Sequence, residues 1–447
     1  MKHFFKNFSQ IARTSLRQLA LEILAEGIKS VTPQNVIPEV LQLRHNQLYA
    51  LNQPYDLSAR KILVIGAGKA SGMMARVVED ILGPENITKG LVIDEKTSIK
   101  NKKVTVLRGG HPIPTKESVY ATTRMIEMID GLSAEDLVIC LMSGGGSSML
   151  ALPVHGISLK DLQIVSKILL LSGAPVHEVN IVRKHLTQIT GGQLAQRLQP
   201  ASVITIIISD TLDTEYDATA SGPTFPDKST YTMALDTLNK YNLLPITPKR
   251  IITHLRKGEQ GLIPETPKEG SPAFTSVQNI VAAENNYALK AMQSYADNLG
   301  FNTHIVSRRL TENVNLVTEA IAGEIRRVPN RTNCCLLAGG EPTITVTGSG
   351  MGGRCQALAA LMIEQIRFQR DCVFVAAATD GSDFLPGVCG AIVDNETYEA
   401  AKAAGLRIND FISQNNTYFL HKKLDNLILA DYTDTNVCDL MIFLSKS

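Results

Sequence analysis

Apolar runs that empty into glycine turns and then into helical patterns recur along this chain, and one of them sets the terms for the fold: Asp136-Leu137-Val138-Ile139-Cys140-Leu141-Met142-Ser143-Gly144-Gly145-Gly146-Ser147-Ser148. An unbroken apolar run of this length suits a strand covered on both faces, which a parallel sheet flanked by helices supplies. The same grammar repeats. Residues 61–65 end in Gly66-Ala67-Gly68-Lys69 and pass into a helical pattern over 70–82, while 90–93, 104–107 and the β-branched run 203–208 read as further strands. Helical spacing follows at 118–129, 159–171 and 192–198. Strand, glycine turn and helix in repetition predict an α/β fold with a parallel sheet and helices on both sides.

At 447 residues the chain exceeds what one core usually serves, so two domains are expected. The texture breaks between 241 and 275, where Pro245, Pro248, Pro264, Pro267 and Pro272 alternate with Gly258, Gly261 and Gly270. That stretch predicts a linker or irregular connection between an N-terminal domain, 1–240, and a C-terminal domain, 276–447. Each is expected to carry a largely parallel sheet, the second including strands at 333–337, 343–346 and 373–378 and a helix at 355–367. Over 1–21, Phe4, Phe8, Ile11, Leu16 and Leu19 recur at helical spacing, with Ile23 beyond, as in an amphipathic docking helix.

Charge excludes several classes of function. Forty-four Lys and Arg nearly cancel forty-three Asp and Glu, so no global field invites nucleic acid or an anionic membrane surface. The apolar runs are too short to cross a bilayer. Seven cysteines without a C-x-x-C pair read as reduced core thiols, which predicts a cytoplasmic location.

Chemistry concentrates at the ends of the expected strands, where open α/β sheets bind their ligands. After 143, Gly144, Gly145 and Gly146 let backbone N–H groups approach an anion, and Ser143, Ser147 and Ser148 add hydroxyls; the alternative is a turn that needs glycine for packing alone. Gly68 and Lys69 end the first strand, where a lysine neutralises phosphate as a point charge. The turn misses the dinucleotide fingerprint, with Ser71 at the third glycine position, and lacks the phosphate-loop spacing, with Leu63 in place of the first glycine. His111 and Arg108 flank a rigid Gly-His-Pro exit, and Arg183-Lys184-His185 is either a basic site or a solvated helix face. Asp210 ends the 203–208 run as a candidate magnesium ligand or general base, ahead of Asp213, Glu215 and Asp217. In the second half Glu341 follows two glycines, Gly352 and Gly353 precede Arg354 at a helix start, and Asp380 and Asp383 end the 373–378 run.

Gly66-Ala67-Gly68-Lys69-Ala70, Gly110-His111-Pro112, Ser143-Gly144-Gly145-Gly146-Ser147, Arg183-Lys184-His185-Leu186, Ser209-Asp210, Ala220-Ser221-Gly222-Pro223-Thr224, Gly339-Gly340-Glu341-Pro342 and Ala378-Thr379-Asp380-Gly381 occur in order over 16–444. Together they resemble the class II glycerate kinases, the family with a C-terminal MOFRL domain. The resemblance implies ATP-dependent phosphorylation of D-glycerate to 2-phosphoglycerate with Mg²⁺, in a cleft between two α/β domains of a protein that acts alone or as a homodimer. It implies Lys69 and Arg354 as the catalytic basic residues. It does not decide which glycine turn takes ATP and which the substrate carboxylate. Relatives labelled hydroxypyruvate reductase supply a second expectation, an NAD(P)H enzyme with Asp94 after the next strand, and a diverged, non-catalytic binding protein is a third. The chain departs from the family pattern at Met351, Cys355, Ala357, Asp213, Phe384 and Asp434, the last three standing where glycine is usual.

Overall fold

The computed structural model describes residues 4–57, 60–212, 216–328 and 333–446. They form two compact units: Pro33–Ala282, and a second unit assembled from both ends of the chain, up to Thr32 and from Ala283 onward.

The unit Pro33–Ala282 is built on a six-stranded sheet whose spatial order is Val104–Arg108, Lys89–Asp94, Ile62–Ala67, Leu137–Ser143, Ser202–Ile208, Val277–Ala283. The first five strands are mutually parallel. In chain order the strands read third, second, first, fourth, fifth, sixth, so the winding reverses between Ile62–Ala67 and Leu137–Ser143, and the crevice of such a doubly wound sheet opens at their C-terminal ends. Every residue of Leu137–Ser143 is buried, as the apolar run predicts. The helix Ser71–Leu82 turns Met74, Ala75, Val78 and Leu82 inward, and Lys116–Ile129, started by a capping box between Thr115 and Ser118, adds Ala121, Met125 and Ile129 to the core.

Residues 241–275 are not a linker. The helix Lys249–Glu259 lies within them, with Ile251 and Leu255 packed in a core that also takes Leu238 of Tyr231–Lys240. The breakers sit where a helix tolerates them: Pro248 directly precedes the first turn, and Gly258, near the last, faces the Tyr231 ring so closely that a Cβ there would lie 2.2 Å from it.

The second unit holds a six-stranded sheet ordered Asn302–Leu310, Cys334–Gly340, Asp439–Ser445, Cys372–Ala378, Val388–Asp394, Leu427–Leu429. Only its first pair is parallel; the rest run antiparallel, contrary to the expectation of a second largely parallel sheet. Burial on both faces marks a central strand without marking its direction. The final strand, Asp439–Ser445, returns between Cys334–Gly340 and Cys372–Ala378 and reverses the sense on both sides. The expected strand at 343–346 reduces to a single bridge between Asn313 and Thr343.

The N-terminal segment also falls outside the expected boundaries, because it packs on this second sheet and not on the first. Its helix Ser15–Ser30 lies against Asn285–Asn298, close enough that a Cβ on Gly27 would strike the Met292 side chain, and Thr435 Oγ1 donates to Val31 O. Arg17 is fully buried, ion-paired with Asp394 and hydrogen-bonded to Asn426 Oδ1 at 3.1 Å. Nothing local in the sequence says which sheet such a helix will cover. All seven cysteines are buried and none is in a disulfide, and among the described residues no helix is long and apolar enough to cross a membrane.

Removing one partner of a buried ion pair strands the other, so Arg17→Ala is expected to cost roughly 3 kcal/mol in urea unfolding, and Arg17→Ala/Asp394→Ala less than the sum of its single variants. Additive losses would show that the pair contributes nothing.

Candidate active site

The two strands at the winding reversal bring their glycine turns together. Gly66 and Ala67 stand opposite Leu141 and Met142, so the chains leave the sheet side by side. Gly68 has φ 130°, and a Cβ there would lie 2.2 Å from Ser143 Oγ. The Lys69 N–H then donates to Gly144 O at 2.9 Å and the Ala70 N–H to Ser143 Oγ at 3.1 Å, tying one turn to the other. Gly145 adopts φ 82°; a Cβ on it would approach His111 Cδ2 at 3.0 Å and Lys69 Cγ at 3.4 Å. Lys69, His111 and Gly145 therefore stand side by side beyond the strand ends.

The serines divide. Ser143 is buried and accepts from Ala70, and Ser148 is buried with its hydroxyl donating to Gly145 O at 3.0 Å, so both hold the turn's shape. Ser147 alone reaches the surface. Its Oγ lies 2.8 Å from Ser221 Oγ, which lies 2.9 Å from Asn180 Oδ1. Ser221 and its neighbour Ala220 take φ 58° and 51°, left-handed values that cost a side-chain-bearing residue energy. Asn180 and Ser221 join Ser147 in this polar row, and strand-end reasoning passes over both: Asn180 comes from mid-helix, where a lone asparagine carries no signal, and Ser221 from a motif whose unusual backbone its composition hides.

Of the basic triplet, Lys184 is buried 3.3 Å from Asp227 Oδ1 and 3.7 Å from Asp217 Oδ2, and His185 Nε2 meets Glu265 Oε2 at 3.2 Å. Both serve a polar network inside the unit. Asp210 lies two residues past the end of Ser202–Ile208, partly exposed; Asp213 and Glu215 lie outside the described residues. Asp94 is buried, its Oδ2 accepting the Gly72 N–H at 2.9 Å and its Oδ1 the Lys96 N–H at 3.0 Å.

In the second unit, Arg354 opens the helix Arg354–Ile366 and is held by a fork: Nε to Asp439 Oδ2 at 2.6 Å, Nη2 to Asp439 Oδ1 at 3.0 Å, and Nη1 to Glu341 Oε1 at 2.8 Å. Burial pushes the Asp439 carboxyl up to about 6 while Arg354 pulls it back. Asp383, a candidate for metal or proton chemistry, is spent on structure. It is buried and accepts the Cys355 N–H (3.1 Å), the Gln356 N–H (2.9 Å) and the Gln356 side-chain amide (2.9 Å), capping the helix that carries Arg354. Gly353 is required there because a Cβ would lie 2.1 Å from Asp383 Oδ1. Gly352 has φ 154° against Thr417. Asp380 is buried at the end of Cys372–Ala378 and accepts the Ser382 N–H at 2.9 Å. Among the described residues no group of three His, Cys, Asp or Glu is placed to hold a metal.

Sequence comparison adds what geometry cannot. Residues 19–256 match the family described as a domain of unknown function, DUF4147, and residues 334–439 match the MOFRL family. A "Glycerate 2-kinase" of Pyrococcus horikoshii is 32% identical over 97% of this chain and 98% of its own. The chain belongs to the glycerate kinase family. A "D-glycerate 2-kinase" of Thermotoga maritima is 32% identical over 96% of this chain and 98% of the relative. The solved structure of a glycerate kinase from T. maritima superposes with a TM-score of 0.80 at 32% identity, covering 96% and 99% of the two chains.

The departures from the family pattern have physical counterparts. Cys355 and Ala357 are buried, so the helix behind Arg354 is packed with apolar side chains. Phe384 and Asp434, which stand where glycine is usual, both have positive φ, 68° and 58°. Phe384 is also 68% exposed and so forfeits little contact when removed. Phe384→Gly is therefore expected to raise the unfolding free energy by about 1 kcal/mol, read from the urea midpoint; a loss of stability would show that the ring contributes packing that outweighs the strain.

His421 supports the same helix from below. It is fully buried and its Nε2–H donates to Gln356 O at 2.8 Å. Burial, with Arg17 adding to it, holds its pKa down to about 4 despite that bond. The unfolded chain takes up the proton near 6.5 and the folded chain only near 4, so folding stability falls as pH drops through this window, by up to roughly 3 kcal/mol. His421→Gln keeps the donor and is expected to flatten stability between pH 7 and 5 in urea titrations; an unchanged slope would exclude His421 as its source.

Proposed function

We propose that this protein transfers the γ-phosphoryl group of ATP to a hydroxyl of D-glycerate, giving 2-phosphoglycerate and ADP. The observation that carries the reading is the convergence of Lys69, Gly145 and His111 at the winding reversal of a parallel sheet, in a chain that belongs to the glycerate kinase family. Phosphoryl transfer asks little covalent chemistry of a protein and much positioning and charge neutralisation. The substrate hydroxyl oxygen bonds to the γ-phosphorus, the bond from that phosphorus to the bridging oxygen breaks, and the hydroxyl proton leaves to solvent or a carboxylate. Lys69 supplies a fixed cation for the phosphoryl oxygens, and the Gly144–Gly146 turn supplies backbone N–H groups in a pocket without side-chain bulk. Arg354 is assigned the second cationic role, its fork oriented by Asp439.

Magnesium accompanies the nucleotide and, when bound, neutralises charge on phosphate oxygens. Such an ion commonly needs only one or two protein carboxylates. Asp210, partly exposed at a strand end, fits that need, with Asp380 as a second candidate; Asp383 does not, its oxygens being occupied by the helix start.

Hydroxypyruvate reduction is the weaker reading. The acidic residue that would meet a nucleotide ribose, Asp94, is buried and bonded to the Gly72 and Lys96 amides.

Lys69→Ala is expected to lower kcat for ATP and D-glycerate about 10²–10³-fold with its unfolding midpoint little changed, measured by a coupled ADP assay. A fully active variant would remove Lys69 from the reaction.

A further inference from the structure

Three consecutive basic residues end the helix Val176–Lys184 and its cap, and their fates differ. Lys184 is paired with Asp227 and Asp217. His185 places Nδ1 2.8 Å from Ile181 O and Nε2 3.2 Å from Glu265 Oε2, with its ring against Tyr231. The Arg183 side chain has neither a hydrogen bond nor an ion pair among the described residues, yet it is only partly exposed. Burial alone pulls its guanidinium down to about 10. A dehydrated cation without a counterion is a cost to the free protein that a bound anion would remove.

Its place says which anion. Arg183 lies three residues past Asn180, so the two share a helix face. The Asn180 amide donates to Ala218 O at 3.2 Å, leaving its Oδ1 to accept. Ser221 Oγ faces both Ser147 Oγ and Asn180 Oδ1 as a donor but has one proton; the buried Asn180 Oδ1 can only accept and takes it, so the contact between the two serines is kept by the Ser147 proton on Ser221 Oγ. Ser147, at the mouth of the glycine turn, is left offering lone pairs. The helix face and the turn it is tied to thus present a cation and a hydrogen-bond acceptor. Nucleotide phosphates, which are acceptors throughout, match only the cation. A hydroxy acid matches both, with its carboxylate and its hydroxyl donor.

We propose that Arg183 binds the carboxylate of the hydroxy-acid substrate, and that Ser147, oriented through Ser221 and Asn180, accepts a hydrogen bond from that substrate's hydroxyl. The assignment rests on the kinase reading above and adds which groups select a 2-hydroxy acid.

The test uses the full-length protein with Arg183→Met and Arg183→Lys, in steady-state kinetics with ATP and D-glycerate and in calorimetric titration with D-glycerate alone. Loss of a charge-assisted bidentate contact is expected to raise KM for D-glycerate about 30-fold or more in Arg183→Met, with Arg183→Lys intermediate and KM for ATP within about twofold of wild type. The D-glycerate titration should lose its heat in Arg183→Met while the melting temperature stays level or rises. An unchanged KM for D-glycerate, or a rise confined to ATP, would overturn the assignment, and so would a fall in melting temperature with D-glycerate binding intact. If wild type binds D-glycerate without turning over, the kinase reading fails while the titration still decides Arg183; if wild type does not bind it at all, both fall.

Discussion

The candidate site in Pro33–Ala282 depends on how closely two parallel strands approach where the sheet changes its winding direction. Gly66 faces Leu141 across the Ile62–Ala67/Leu137–Ser143 pair so tightly that a Cβ would lie 2.3 Å from the Leu141 carbonyl oxygen. That approach delivers two glycine turns to the same spot, and the bond from Lys69 N–H to Gly144 O fixes their register. Lys69 is thereby held at a strand end by backbone geometry. Gly145 leaves the space in front of it open, the buried Ser143 hydroxyl ties one turn to the other, and the buried Ser148 hydroxyl holds the shape of its own turn.

The second unit solves a similar problem with side chains. Arg354 starts a helix whose first amides are capped by Asp383 and whose third residue, Gln356, is bonded from below by His421, while the Arg354 guanidinium is gripped by Asp439 from the central C-terminal strand. Each support is buried, so the arginine's direction is overdetermined, and a carboxylate that looked chemically available from its position after a strand proves to be architectural.

Much of this was legible in the residues. Continuous apolar runs announced the strands at 137–142 and 203–208 because full burial on both faces leaves no polar alternation, and the glycine turns announced where the strands end. Strand direction in the second sheet was not legible: an apolar run is the same read either way, and the antiparallel arrangement is imposed by a strand that returns from the end of the chain. The helix Ser15–Ser30 showed its amphipathic face without showing its partner, which lies far away in sequence. Pro248 and Gly258 misled because a helix boundary and a linker use the same residues. At the site, Lys69, His111 and Gly145 followed from strand ends, whereas Asn180 and Ser221 did not, since their importance lies in a hydrogen-bond relay that only folding assembles.

Phosphoryl transfer to a hydroxy acid is the role proposed for these turns. Its most direct test is phosphorus NMR of the products formed by the purified protein from ATP, Mg²⁺ and D-glycerate. Stoichiometric ADP and a phosphomonoester on the 2-position of glycerate are expected, absent when D-glycerate is withheld. Intact ATP, together with oxidation of NADH or NADPH on addition of hydroxypyruvate, would contradict that role.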